Sequence, residues 1–177
     1  MNCQNCGAPM VVYEGREYFF CEYCGSFHFP QESNQGIRTL DGARDEHSCP
    51  VCNVNLTHAT IDRLSILHCP ECLGFLAHPD TFAEIVKQRR ARARGPAAKP
   101  TPLKPRELER DIRCPYCDRE MSVHPYYGPG NIVIDNCVGC KIVWLDYGEL
   151  GKVVDAPGRD RGDYWLVRLA EEDEDDR

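Results

Sequence analysis

The sequence has no long hydrophobic run and no export signal. No stretch of about 18 apolar residues occurs in the 177-residue chain, which excludes a membrane-spanning helix. The segment Met1–Cys6 lacks the basic region and apolar stretch of a signal peptide, so we expect a cytoplasmic protein that does not contact a membrane.

Motifs of the common enzyme classes are missing as well. The sequence contains no nucleophile elbow, no phosphate-binding loop and no paired-carboxylate constellation. We therefore expect a protein that is not an enzyme, with no catalytic residues and no organic cofactor.

Cysteine, in contrast, is abundant. Twelve of the 177 residues are cysteine, every one belongs to a C-x-x-C pair, and no thiol is left over. The pairs form three quartets, with 14, 16 and 19 residues between the inner cysteines: Cys3, Cys6, Cys21 and Cys24 (quartet 1); Cys49, Cys52, Cys69 and Cys72 (quartet 2); Cys114, Cys117, Cys137 and Cys140 (quartet 3).

Three chemical interpretations of these cysteines compete. Disulfides suit a secreted chain, whereas thiols stay reduced in a cytosol. A redox C-x-x-C usually occurs once, at the start of a helix in a βαβ unit, and here six pairs lie near short β-type segments. Two C-x-x-C turns at this spacing supply four thiolates to a tetrahedral ion, so we expect three structural Zn²⁺ ions, one per quartet. Iron in a rubredoxin-like site is the main chemical alternative, since tetrahedral sulfur also suits iron.

Each quartet lies in a segment too short to bury a sufficient apolar core, so a structural ion would supply the missing folding free energy. We expect small metal-stabilised β-rich modules, namely three zinc ribbons with four cysteine ligands each, the second and third each followed by a helix. The predicted organisation is zinc ribbon 1 at 1–30, a linker at 31–46, zinc ribbon 2 with a C-terminal helix at 47–94, a Pro-rich basic linker at 95–111, zinc ribbon 3 with a short C-terminal helix at 112–155, and a C-terminal segment with an acidic tail at 156–177.

The second and third ribbons are sequence repeats. A shift of 68 residues superposes their second cysteine pairs and places Leu76 on Trp144. The segments Thr81–Glu84 and Asp146–Glu149 have the spacing of a capping box and predict the starts of the two helices. One face of the first helix is apolar at helical spacing: Phe82, Ile85 and Val86.

The third ribbon resembles the transcription factor IIB-like zinc ribbons of bacteria and archaea. Over 112–155 the chain has C-P-Y-C, then C-V-G-C, then W-L-D-Y-G-E-L at Trp144–Leu150, with Lys141 where glycine often follows the last cysteine. Residues 47–90 look like a diverged copy, and residues 1–30 resemble a generic zinc ribbon. The resemblance implies zinc binding and a ribbon fold.

Positive charge is concentrated in one stretch of an acidic chain. The formal net charge is −7, yet residues 87–113 carry ten basic and three acidic side chains. A basic stretch can attract phosphates through counterion release. The candidate nucleic-acid contacts are Lys87, Arg89, Arg90, Arg92 and Arg94. A solvated helix end with favourable cations is the alternative interpretation.

The leading functional hypothesis is a non-enzymatic zinc-binding adaptor that engages a protein partner through its ribbons. We expect its contact surface at Trp144, or on the helix face formed by Phe82, Ile85 and Val86. Two alternatives stay open: a transcription-related protein that associates with nucleic acid through residues 87–94, and a thiol redox sensor or zinc-handling protein.

Overall fold

The computed structural model of the chain describes residues 2–3, 5–12, 19–28, 31–32, 35–99, 102–103, 105–126 and 131–162, and their strands form two sheets. The first sheet is antiparallel and contains β1 (Val11–Val12), β2 (Phe19–Phe20) and β3 (Phe27–His28), in that order. The buried cluster beside it comes only from the segment around quartet 1: Cys3, Met10, Phe19 and Cys21. The predicted acidic tail lies outside the described residues.

The second sheet has eight antiparallel strands and unites the segments around quartets 2 and 3. Its strands are β4 (Gln31–Glu32), β5 (Ile37–Ser48), β6 (Asn55–Ile61), β7 (Leu64–His68), β8 (Phe75–Ala77), β9 (Ser122–Pro125), β10 (Val133–Cys137) and β11 (Ile142–Leu145). Across the sheet their order is β4-β5-β6-β7-β8-β11-β10-β9. The two repeats join where β8 pairs with β11, with Leu76 opposite Trp144.

Alternating side chains give this sheet two different apolar faces. In β11, Ile142 and Trp144 belong to a cluster on the face that carries quartets 2 and 3, which we call the metal face. Val143 and Leu145 belong to a second cluster on the opposite face. Successive side chains of a strand point to opposite sides, so one short strand supplies both layers of the core.

Two helices cover the face opposite the metal face. They are α1 (Pro79–Arg92), which follows β8, and α2 (Glu149–Asp155), which follows β11. Each presents an apolar stripe to the sheet, and their buried apolar residues are Phe82, Ile85, Val86, Leu150 and Val153. In the described part of the chain, neither helix is long and apolar enough to cross a membrane.

The segment expected to be a linker at 31–46 contains β4 and most of β5. The strand was not predicted because its sequence is polar. β5 lies near the sheet edge, and only Ile37 among its described side chains joins a hydrophobic cluster. The pairing of β5 with β6 shifts register between Thr39 and Arg44 and again between Arg44 and Ser48. Such bulges break the alternation that marks a strand in sequence. Ribbons 2 and 3 are separated by 95–111 along the chain but share one sheet in space.

The surface expected to bind a partner is buried. Trp144 and Ile85 are 0 % exposed, and Phe82 is 2 % exposed. Trp144 packs under the metal face and the helix residues pack on the opposite face of the sheet. The prediction that these side chains contact a partner is therefore wrong, because the repeats use them to form the common core.

The two predicted capping boxes differ from the structure in their details. α1 begins at Pro79 and its N-cap is His78, whose Nδ1 accepts from the Asp80 N–H at 3.3 Å, so Thr81 lies inside the helix. In α2 the Glu149 carboxylate does accept from the Asp146 N–H, at 2.8 Å. The N-cap of α2, however, is Gly148, which has a left-handed conformation.

Arg90 joins the C-terminal ends of the two helices. Its side chain is fully buried, and its guanidinium donates to the Val153 and Ala156 carbonyls and to the Asp160 carboxylate. In return, the Gly162 N–H donates to the Arg90 carbonyl. Helix C-termini leave carbonyls without intrahelical partners, and an arginine with five N–H donors satisfies several of them at once.

Candidate metal centres

Each C-x-x-C pair forms a tight turn, here called a knuckle, that ends in a left-handed residue. The residue after the second cysteine has a φ between 53° and 75° in all six knuckles: Gly7, Gly25, Asn53, Leu73, Asp118 and Lys141. In five knuckles its N–H donates to the carbonyl of the first cysteine at 2.8–3.1 Å. This backbone turn directs the two sulfur atoms of a pair toward one common site.

The knuckles bring the twelve cysteines together in three groups, as they are paired in the sequence. Within each quartet the four sulfur atoms lie within 4.8 Å of one another, so each group can hold a metal ion. Sulfur–sulfur distances between knuckles are 3.6 Å for Cys3–Cys24, 3.5 Å for Cys6–Cys21, 3.7 Å for Cys49–Cys72 and 3.8 Å for Cys117–Cys137. Four sulfurs about 2.3 Å from a tetrahedral ion would be about 3.8 Å apart, whereas a disulfide needs about 2.05 Å. The cysteines therefore fit a tetrahedral thiolate site.

The thiols within a quartet titrate very differently. In quartet 3, Arg119 lowers the pKa of Cys117 to about 6 by donating a hydrogen bond to its sulfur. The pKa of Cys140 rises to about 12, chiefly because of its hydrogen bond with Cys117. In quartet 2, burial raises the pKa of Cys49 to about 11. Crowded thiols resist carrying four negative charges, and a divalent cation removes that resistance.

Backbone donors support the sulfurs of quartet 2. The N–H groups of Val51 and Cys52 point to Cys49 Sγ at 3.4 and 3.3 Å, and the Cys72 N–H points to Cys69 Sγ at 3.5 Å. N–H donors near a thiolate stabilise its charge, so these bonds hold the sulfurs in the form that binds a metal.

An arginine side chain supports quartet 3. Arg119 follows the first knuckle, and its guanidinium extends across to the second, where a Cβ at Gly139 would lie 2.4 Å from its Nη2 atom. Gly139 thus leaves the space that the guanidinium occupies beside Cys117. Sequence reasoning missed this pair, although a cation two residues after a ligand and a glycine inside a knuckle were both visible.

The Trp144 side chain is buried between quartets 2 and 3. Its ring packs in the cluster that includes cysteines of both quartets, and its Nε1 donates to Asp146 Oδ1 at 3.0 Å. Arg110 in turn binds the Asp146 carboxylate. The ring lies so close to β8 that a Cβ at Gly74 would be 2.4 Å from Trp144 Cζ2. The glycine after the quartet 2 knuckle is therefore required by the packing of the other repeat.

The basic stretch makes internal contacts. Its five predicted nucleic-acid contacts were Lys87, Arg89, Arg90, Arg92 and Arg94. Arg90 is 0 % exposed, so the prediction that it binds phosphate is wrong. Asp62 pairs with both Arg89 and Arg92, at 2.6 and 3.4 Å. The Asp62 carboxylate thus offsets part of the local positive charge within the fold.

Comparisons of the chain with protein-family models, with curated proteins and with solved structures find no match. The function must therefore be inferred from the geometry of the three quartets and from the surface around them.

Proposed function

We propose that this chain is a zinc-binding protein that holds three Zn²⁺ ions, one in each quartet. The observation that carries the proposal is the tetrahedral spacing of three all-cysteine groups. Thiolate ligands select zinc or iron–sulfur chemistry among the common metals. Four protein ligands fill a tetrahedral zinc site and leave no position for water, so the ions are structural and the protein is non-enzymatic. The resemblance of residues 112–155 to the transcription factor IIB-like zinc ribbons supports this assignment.

Elemental analysis of the purified protein tests the metal assignment. We expect three zinc atoms per chain and a colourless protein. One iron per quartet, with the red colour of ferric thiolate, would contradict the zinc assignment, and metal-free folded protein would contradict the metal sites altogether.

We further propose that the knuckles bind a protein partner that offers apolar pockets. Four exposed apolar side chains stand between the two cysteines of a knuckle, and their exposed fractions are 82 % for Tyr23, 47 % for Val51, 46 % for Tyr116 and 76 % for Val138. Aromatic and aliphatic side chains on a rigid turn lose little entropy on binding, which favours them as interface anchors. The protein then acts as an adaptor with one or two anchors at each metal centre.

Variants at two knuckles test the adaptor proposal. Tyr23→Ser and Val138→Ser should each leave three zinc atoms bound and reduce capture of a co-purifying polypeptide by at least about tenfold. Leu108→Ser is the matched control, since Leu108 is 42 % exposed outside any knuckle. Equal partner capture by all three variants and the wild type would contradict binding through the knuckles.

A further inference from the structure

The three quartets differ in how they face solvent. The second cysteine of each knuckle is exposed in quartet 1, at Cys6 and Cys24, but only partly exposed at the equivalent positions of quartets 2 and 3. The first cysteine of every knuckle is buried. Two of the four cysteines in quartet 1 are therefore exposed, which gives an incoming ligand a route to the site.

Among the described residues, the apolar shield around quartet 1 is also small. In the described residues its cluster contains Met10 and Phe19 besides two of the ligands, with Ala8 packed against it. Quartets 2 and 3 instead share one cluster that includes Leu56, Leu76 and the fully buried Trp144. The apolar shell around a site controls the access of solvent and of competing ligands to the metal.

In the described residues, the backbone around quartet 1 has little support from other elements. Its sheet consists of three strands of two residues each, whereas quartets 2 and 3 belong to the eight-stranded sheet covered by α1 and α2. Opening quartet 2 or 3 would disturb a common core, while in the part of the chain that the structure describes, opening quartet 1 disturbs a separate and smaller cluster. Local opening costs less free energy where few buried contacts must break.

We propose that quartet 1 is an exchangeable metal site, which gives up its ion to chelators or thiol-rich acceptors while quartets 2 and 3 keep theirs. This inference rests on the proposed zinc binding and adds that one site exchanges its ion while the other two retain theirs. Exchange begins when an incoming ligand reaches the ion beside Cys6 or Cys24 and replaces their sulfurs one at a time. No electrons are transferred, and the released thiolates take up protons from water.

Zinc release from the full-length, zinc-loaded protein tests the proposal. With excess EDTA, one zinc atom per chain should leave at least about tenfold faster than the other two, because local opening of quartet 1 is easier than opening of the shared core. N-ethylmaleimide present during release should label the four cysteines of quartet 1 first, as read by mass spectrometry. Far-UV circular dichroism should change little in this phase.

Variants assign the fast phase to its site. Cys24→Ser should remove the fast phase and leave two slowly released zinc atoms, while the equivalent change Cys72→Ser should leave the labelling rate of quartet 1 unaltered. Release of all three ions in one phase, or first labelling of quartet 2 or 3, would overturn the inference and leave the proposed zinc binding intact. Absence of zinc from the starting protein would instead refute the proposed function.

Discussion

Single residues set the geometry of the knuckles. The left-handed residue that ends each knuckle is glycine in quartet 1 but Leu73 or Lys141 at the second knuckles of quartets 2 and 3. A side chain in the left-handed region crowds its own carbonyl, a cost that glycine avoids. The left-handed Lys141 therefore carries a conformational penalty that the rest of the fold tolerates.

Replacing this lysine should stabilise the protein. Lys141→Gly relieves the strain at φ 53°, and we expect the free energy of unfolding of the zinc-loaded protein to rise by about 0.5–1 kcal/mol in urea denaturation. Lys152→Gly is the control, because Lys152 lies inside α2, where glycine should cost about 1 kcal/mol. A loss of stability in Lys141→Gly would show that the lysine side chain has a contact worth more than the strain.

At the level of single residues, the sequence indicated which cysteines lie together in groups that can hold a metal ion, but not what surrounds them. The C-x-x-C spacing identifies the twelve cysteines because each pair must make the same short turn. Arg119, Gly139 and Gly74 could not be predicted, since their roles depend on a neighbouring knuckle or on the other repeat. A contact across the sheet leaves no local pattern in the sequence.

Among the secondary-structure elements, α1 and α2 are joined by one buried charge in addition to the hydrophobic cluster that they share. Arg90→Leu would leave the buried Val153 and Ala156 carbonyls without their side-chain donor. We expect a loss of about 3 kcal/mol or more in the free energy of unfolding, because unsatisfied buried polar groups are costly. Arg92→Leu, at an exposed position of the same helix, should change it by less than about 0.5 kcal/mol. Similar losses of unfolding free energy in the two variants would contradict the proposed role of the Arg90 hydrogen bonds in joining the helices.

The start of α2 predicts a pH dependence. Burial raises the pKa of Glu149 to about 7, with Asp146 and Asp135 adding repulsion against the attraction of Lys152. The unfolded chain releases this proton near pH 4.5 and the folded protein only near pH 7, so the stabilisation present at low pH is lost as the pH rises through about 7. Glu149→Gln can still accept from the Asp146 N–H but cannot ionise.

Comparison of the two proteins at pH 5 and pH 8 measures this effect. The drop in the free energy of unfolding of zinc-loaded protein should be smaller in Glu149→Gln than in the wild type by about 1–2 kcal/mol. Glu109→Gln changes an exposed carboxylate and should follow the wild type. An equal drop in Glu149→Gln would mean that Glu149 ionises normally in the fold.

Elements were predicted well where both faces are apolar and poorly where they are not. The continuous apolar runs Ile142–Leu145 and Phe75–Ala77 are recognisable in the sequence as short buried strands, and they form β11 and β8. β5 was missed because it is polar and bulged. The helix starts were misplaced because Thr81 and Asp146, which are typical N-cap residues, lie within three residues of the true caps, His78 and Gly148.

In the molecule as a whole, quartets 2 and 3 belong to one cooperative unit. They share the cluster around Trp144, so loss of one ion should loosen the other site. We expect Cys69→Ser to weaken zinc binding at quartet 3 by at least about tenfold in EDTA competition, with quartet 1 unchanged. Site-by-site labelling of the cysteines reads the three quartets separately, and an unchanged quartet 3 would contradict the coupling.

The pairing of β8 with β11 has a symmetry that the metal sites do not reveal. Leu76 and Trp144 are equivalent positions of the two repeats and face each other, while Phe75 pairs with Leu145 and Ala77 with Val143, so every contact is reciprocated. This is the arrangement of an isologous dimer interface. The two repeats therefore pair like the two subunits of a homodimer, but they belong to one chain. Residues 93–111 link them covalently, so the two halves are always present in a one-to-one ratio. The bulky Trp144 of one half is accommodated by Leu76 and Gly74 of the other, so the tryptophan half would meet a second tryptophan at this position if it paired with a copy of itself.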